Sequence, residues 1–384
     1  MKRFRFNLKK IAKKIASIAL VTSFLTIACS QPNATTSIAP TVPKIANASA
    51  VIAPAKFSDR QVVVDFADRV VIPTYQTFAS KTKDLRTAIE AFATNPNEQT
   101  LKAAQDAWMA ARVPWEQGES FTIGPAKSYG LDAAIDTWPL DKSDVERILK
   151  SGDRITPEVV QNLQESQKGF HTIEFLLFGS EGKKAIADFT PREFDYLKAA
   201  TVVLDADANK LLTAWTQGID GRAAYRDSFA TAGNNPVYPS LPDAAQEMVE
   251  GIIDSTTEVA EKKIGEPFTK KDAKAIESQY AIANPLNDFR SNLNCVKNVY
   301  FGATENHTLG KSGISAFVAK VKPDLDARVE REIKLAIAAI DEIPTPFQTA
   351  IADASAADKI KQAIAAVTTV KETFEKEVKP LIVQ

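Results

Sequence analysis

From about residue 58 to the C-terminus, apolar residues recur at three- and four-residue spacing. They do so through long segments rich in Ala, Leu, Lys and Glu, with few runs of strand type. This pattern predicts helices near 59–93, 97–118, 143–150, 156–166, 168–178, 191–217, 221–231, 241–265, 270–280, 287–302, 312–320, 323–342 and 356–380, and hence an all-α fold. Ser, Thr, Asp and Asn caps and prolines mark many starts, as at Pro96-Asn97 and Thr190-Pro191. Pro114 is expected to bend or end the second helix. The polar, Gly- and Pro-containing stretches 119–142 and 232–240 read as long loops, which are good places for function.

One predicted helix breaks the amphipathic rule. GFHTIEFLLFG, Gly169 to Gly179, is apolar on every side except for His171 and Glu174. Three residues apart, their side chains share one face of a helix. A carboxylate in such surroundings needs a partner, because an unpaired buried charge is very costly. SNLNCVKNVYFG (291–302) lays over KGFHTIEFLLFG (168–179) with Asn294 on His171 and Lys297 on Glu174. An internal duplication would follow, its second copy lacking the His/Glu chemistry. The body is long enough for two helical-bundle domains, divided here as 58–190, carrying the His/Glu helix, and 191–384.

Composition changes the picture at the N-terminus. Residues 1–14 carry seven Lys and Arg and no acid, and residues 15–28 form a short apolar run ending before Cys29, the form of an export signal. About 14 residues is short of the about 20 that a membrane-spanning helix needs. Cys29 stands where a bacterial lipoprotein is cleaved and lipidated, although Thr26 replaces the usual leucine; removal of Cys29 with an ordinary signal is the alternative. Residues 29–57, rich in Ala, Pro, Ser, Thr and Asn, read as a flexible tether. Without residues 1–28, 40 Lys and Arg face 48 Asp and Glu, so the formal charge goes from −1 to −8. Such a chain has no electrostatic footprint for nucleic acid. Cys295 is the only other cysteine, so with Cys29 lipidated or removed no internal disulfide can form and the core must hold the fold.

The candidate chemistry is acidic. The chain has two histidines and contains no HExxH helix, Gly-rich phosphate loop, CxxC pair or GxSxG elbow. ARVPWEQGESFTIGP places Glu116 and Glu119 three apart, and SYGLDAAIDTWPLD places Asp132 and Asp136 four apart. Short carboxylate pairs with one His–Glu pair suit a metal site of mixed oxygen and nitrogen ligands in a bundle core. With no thiolate available, such a site favours iron, manganese or zinc.

GFHTIEFLLFG resembles the GxHxxE signature of the imelysin-like family, and AWMAARVPWEQGESFTIGP with LDAAIDTWPLD and FRSNLNCVKNVYFG resemble its other marked segments in order. The resemblance covers about 58–384 and extends to the family's exported, tethered branch connected with iron acquisition. It implies two bundle-like domains with a site in the cleft near the GxHxxE helix, and a periplasmic lipoprotein held to the membrane through Cys29. It also implies a metal site of His171, Glu174, Glu116, Glu119 and Asp132, holding iron, or zinc or another divalent metal, as an ion or a chelate, with an iron-transport partner. The family also carries a peptidase label. A zinc hydrolase would need three protein ligands, an open position and a carboxylate base. His307, in a polar loop, is a poor candidate for a third ligand. A third reading has Arg112 or another cation neutralise Glu174 beside a pocket for an organic ligand.

Overall fold

In the computed structural model, residues 56–304 and 312–383 are described. Cys29, the export signal, most of the tether and His307 lie outside these residues. Residues Ile52–Gln384 form one compact unit, and every regular element among the described residues is helical. The body starts slightly earlier than the sequence suggests. Phe57 is buried and packs edge-on against Phe317, with ring centroids 5.1 Å apart.

The first long helix runs without a break from Arg60–Asp65 through a π-helical turn, Phe66–Val71, into α1, Ile72–Thr94. Its buried stripe of Tyr75, Phe78, Leu85, Ile89 and Phe92 is the three- and four-residue pattern read from the sequence. α2, Glu98–Glu116, starts where Asn97 caps it. The Asn97 Oδ1 accepts from the backbone N–H of Gln99 (3.0 Å) and Thr100 (3.1 Å), and Thr100 Oγ1 accepts from Asn97 N–H. Pro114 lies in the last turn and the helix runs only two residues further. The principal helices that follow are α3, Leu131–Asp136; α4, Gly169–Phe178; α5, Pro191–Thr216; α6, Leu241–Thr257; α7, Pro285–Phe301; α8, Pro323–Asp341; and α9, Ala357–Thr373.

The helices pack in two groups within this unit. α1 packs on α2 and α5, and α4 packs on α2 and α5; α6, α7, α8 and α9 form the second group. The two meet where α2 crosses α7 and where the turn Glu119–Phe121 lies on α6. Gly251 allows that second contact, since a Cβ there would sit 1.8 Å from the Ser120 carbonyl oxygen. α5, expected to open the second bundle at 191, packs with α1 and α4 instead, so the groups divide after Thr216.

Two further expectations fail, and both of these failures lie beside His171. The stretch 119–142 is not one loop: it holds the turn Glu119–Phe121, a helical turn Pro125–Ser128 and α3, which carries both Asp132 and Asp136. The predicted helix 270–280 is absent. After the short turn Ala273–Ala275 the chain runs irregularly through Ser278, whose φ is +49°, to Ala281. Its backbone N–H groups are used by a side chain rather than by a helix.

Candidate functional site

The site is built around α4. Gly169 opens it with φ +71°, a conformation that costs an L side chain about 1–2 kcal/mol. A Cβ at Gly169 would also lie 2.3 Å from the Ile135 carbonyl oxygen and 2.7 Å from that of Ala134. A glycine here therefore lets the start of α4 touch the end of α3, which brings His171 and Asp136 together. Trp108 Nε1–H donates to the Phe170 carbonyl (3.0 Å) and holds the same end from the other side.

Every residue of α4 is buried. His171 Nδ1 lies 3.0 Å from Glu174 Oε2, the geometry anticipated for the i, i+3 pair. Apart from the imidazole, Glu174 pairs with no lysine or arginine among the described residues. Its Oε1 accepts from the backbone N–H of Tyr280 (2.8 Å) and Ala281 (2.9 Å), which is why the segment 276–281 is irregular. Glu174 thus fixes the imidazole and ties the segment bearing Glu277 to α4. The other ring nitrogen, Nε2, is buried and makes no hydrogen bond. It lies 3.2 Å from Asp136 Oδ1 and 3.8 Å from Glu277 Oε1, and one ligand atom from each of these residues lies within 4.8 Å of the others.

Arg112 and Lys263 set the electrostatics of this cluster. The Arg112 guanidinium is fully buried and pairs with Glu116 and Asp136, with Glu277 at 2.9 Å and with Asp288 at 3.2 Å. Lys263, buried to 6% exposure, reaches Glu116 Oε2 at 2.7 Å and Glu277 Oε2 at 3.0 Å. Asn292 donates to Glu116 Oε2 (2.6 Å), Trp115 Nε1–H to Asp136 Oδ2 (2.6 Å), and Ser278 and Asn284 to Asp288 (2.6 and 2.7 Å). Trp138 covers the imidazole with ring centroids 5.0 Å apart. Trp138, Lys263 and Glu277 also line a cleft of about 400 Å³ opening to solvent. A separate, mostly apolar cavity of about 450 Å³ between Tyr129, Tyr225 and Val237 shares no lining residue with it.

The sequence candidates are therefore sorted by the tertiary structure. His171 and Glu174 form one pair, with Glu174 turned to the far side of the ring from Asp136 and Glu277. Glu116 is fully buried, but its carboxylate is engaged by Arg112, Lys263 and Asn292. Glu119 is 24% exposed, its Oε2 4.0 Å from Lys263. Asp132, half-buried one turn before Asp136, contributes no atom to the His171 cluster. Asp136, seen in the sequence only as the partner of Asp132, holds the position beside the ring. Glu277, Lys263 and Asp288 carried no motif, and Asn292 lay in the segment FRSNLNCVKNVYFG without a role of its own. Asn294 and Lys297, the duplication partners of His171 and Glu174, lie half-buried on α7, while Asp288 and Asn292 of the same helix reach Arg112 and Glu116.

These charges favour the protonated imidazole. Burial alone lowers the His171 pKa, but Asp136, Glu174 and Glu277 outweigh it and hold it well above 6.5. Burial raises Glu277, but Lys263, His171 and Arg112 hold it well below 4.5, and Arg112 and His171 lower Asp136 against the same burial penalty. A raised imidazole stabilises the fold fully below its unfolded pKa of about 6.5, and that contribution is lost as pH rises through the folded value. A depressed carboxylate stabilises above its unfolded value of about 4.3 and loses that as pH falls through the folded one. Urea unfolding of the metal-free protein should therefore show stability declining above about pH 6.5, with His171→Gln removing this alkaline slope. A slope unchanged in the variant assigns the proton elsewhere.

The imelysin family model (Peptidase M75) matches residues 71–374. The chain is 32% identical over 323 residues to iron-regulated protein A of Synechococcus elongatus, covering 84% of this chain and 86% of that one. The crystal structure of a protein assigned as an iron-regulated protein A precursor from Parabacteroides distasonis superposes with a TM-score of 0.77 at 28% identity, over 86% of this chain and 97% of that one. An imelysin-like protein from Psychrobacter arcticum shares the fold, with a TM-score of 0.66 at 14% identity over 85% and 98% of the two chains. The family model spans most of the chain and includes both α4 and α7, so the protein belongs to the imelysin family, among the relatives of iron-regulated protein A.

Proposed function

We propose that this protein binds a metal ion, iron by preference, through Asp136, His171 and Glu277, and serves iron acquisition as an exported protein tethered through Cys29. The observation that carries the reading is the buried His171 Nε2, which makes no well-aligned hydrogen bond although two carboxylate oxygens lie 3.2 and 3.8 Å from it. One nitrogen and two carboxylates suit iron(II), manganese or zinc. The Nδ1–H held by Glu174 is the orientation that metal-bound histidines receive from their outer partners. The names of the Synechococcus and Parabacteroides relatives support iron.

A peptidase is less well served. Glu174, the acid that a hydrolase would use beside the histidine, is committed to the imidazole and two backbone amides. Arg112 as neutraliser of Glu174 is not what supports the site either, since it serves Glu116, Asp136, Glu277 and Asp288.

Calorimetric titration of metal-depleted protein with Fe²⁺ under nitrogen, and with Mn²⁺ and Zn²⁺, tests the reading. Binding of a single ion is expected, with proton release as the imidazole is liganded. His171→Gln and Glu277→Gln should abolish it, and Glu174→Gln should weaken it about 10–100-fold as an outer-shell change. Glu119→Gln and Asp132→Asn should bind like wild type. Unaltered binding in His171→Gln and Glu277→Gln rules the site out.

A further inference from the structure

Lys263 occupies an unusual place. It sits on the π-helical turn Glu258–Gly265 that continues α6, and such turns are frequent at functional sites. Its ammonium is enclosed by Glu116 Oε2 at 2.7 Å and Glu277 Oε2 at 3.0 Å, with Glu119 Oε2 at 4.0 Å. These are oxygen ligands of the kind that hard divalent cations take, one or two carboxylates completed by water. Beside them, Asn292 is fully buried and donates its amide hydrogen to Glu116, while its own Oδ1 has no hydrogen-bond partner. Glu277 links this position to the His171 cluster, with Oε1 facing His171 and Arg112 and Oε2 facing Lys263.

We propose that the Lys263 ammonium is the protein's own occupant of a second cation position beside the His171 triad, and that it limits the cleft to one metal ion and weakens the hold on that ion. The physical reason is charge. A fixed cation sharing the Glu277 carboxylate repels an incoming ion and draws electron density from the carboxylate that must bind it. A carrier that must also release its ion gains from such a built-in competitor. The inference rests on the metal-binding reading of His171, Asp136 and Glu277.

The test is Lys263→Ala, which vacates both the charge and the volume, beside Lys263→Met, which removes the charge and fills the space. Manganese is the probe, with stoichiometry from elemental analysis of equilibrium-dialysed protein and affinity from calorimetry. Wild type should hold one Mn²⁺ and Lys263→Ala two, while Lys263→Met should hold one with affinity raised about tenfold, about 1.4 kcal/mol. Equal stoichiometry and affinity in all three proteins overturns the proposal. If the alanine variant does not fold alone, refolding from urea with Mn²⁺ replaces the first measurement. Recovery of the helical circular dichroism with Mn²⁺, but not with NaCl of equal ionic strength, supports the proposal, and recovery with neither overturns it. Failure of the underlying reading looks different: His171→Gln would then bind Mn²⁺ as wild type does, whatever Lys263→Ala gains.

Discussion

Replacing Arg112 by methionine is expected to destabilise the protein by about 3–5 kcal/mol, the cost of removing one partner from a buried ion pair. Arg112 is fully buried and its guanidinium serves Glu116, Asp136, Glu277 and Asp288 together. Methionine fills similar volume, so the loss is one of charge and hydrogen bonding rather than packing. Those carboxylates would be left to Lys263 and His171. Arg112→Lys should recover little, because a point charge cannot reproduce the planar fork that reaches acids on several sides. The gap between variant and wild type should narrow as pH falls, since Arg112 helps to hold Asp136 and Glu277 below their ordinary values, and protonation removes what it stabilises. Urea unfolding at neutral and acid pH measures both effects. A midpoint for Arg112→Met close to wild type at neutral pH would mean that the carboxylates are not ionised together around it.

Gly169→Ala is expected to cost about 2–5 kcal/mol, the sum of a left-handed backbone carrying a Cβ and an overlap with the carbonyls of Ala134 and Ile135. Its effect should reach the site as well as the fold. The only relief is to move α4 away from the end of α3, and Asp136 Oδ1 now lies just 3.2 Å from His171 Nε2. Metal affinity should fall at least about tenfold in protein that remains folded, a loss of about 1.4 kcal/mol. Gly130→Ala is the control. Its φ is +65° with nothing within 4 Å of the added carbon, so it should carry the backbone cost of about 1–2 kcal/mol and leave the metal affinity alone. Equal penalties in the two variants would show that the α3–α4 contact contributes nothing.

The helical elements and the chemistry of α4 were legible in the sequence for local reasons. The stripe of α1, the Asn97 and Thr190 caps and the His171–Glu174 spacing are set by residues within a few positions of one another. The all-apolar setting of that pair also determined that it is buried and that Glu174 must be satisfied. What satisfies it was not legible. Two backbone amides at 280 and 281 do so, more than a hundred residues away, by giving up the helix that the local pattern of 270–280 predicts.

The ligand candidates divide in the same way. Asp132 and Asp136 stand at helical spacing within a stretch that reads as a loop, and spacing cannot tell which of two acids turns toward a neighbour. The close approach at Gly169 decides for Asp136. Spacing likewise paired Glu116 with Glu119, but the fate of Glu116 was decided by Lys263 and Asn292, brought in by the packing of the second helix group on α2. The sequence by itself determined an all-helical body with one buried His–Glu pair, because periodicity and burial are short-range properties. Only the tertiary structure decided which acids face the imidazole, because carboxylates distant in sequence compete for the same few buried cations.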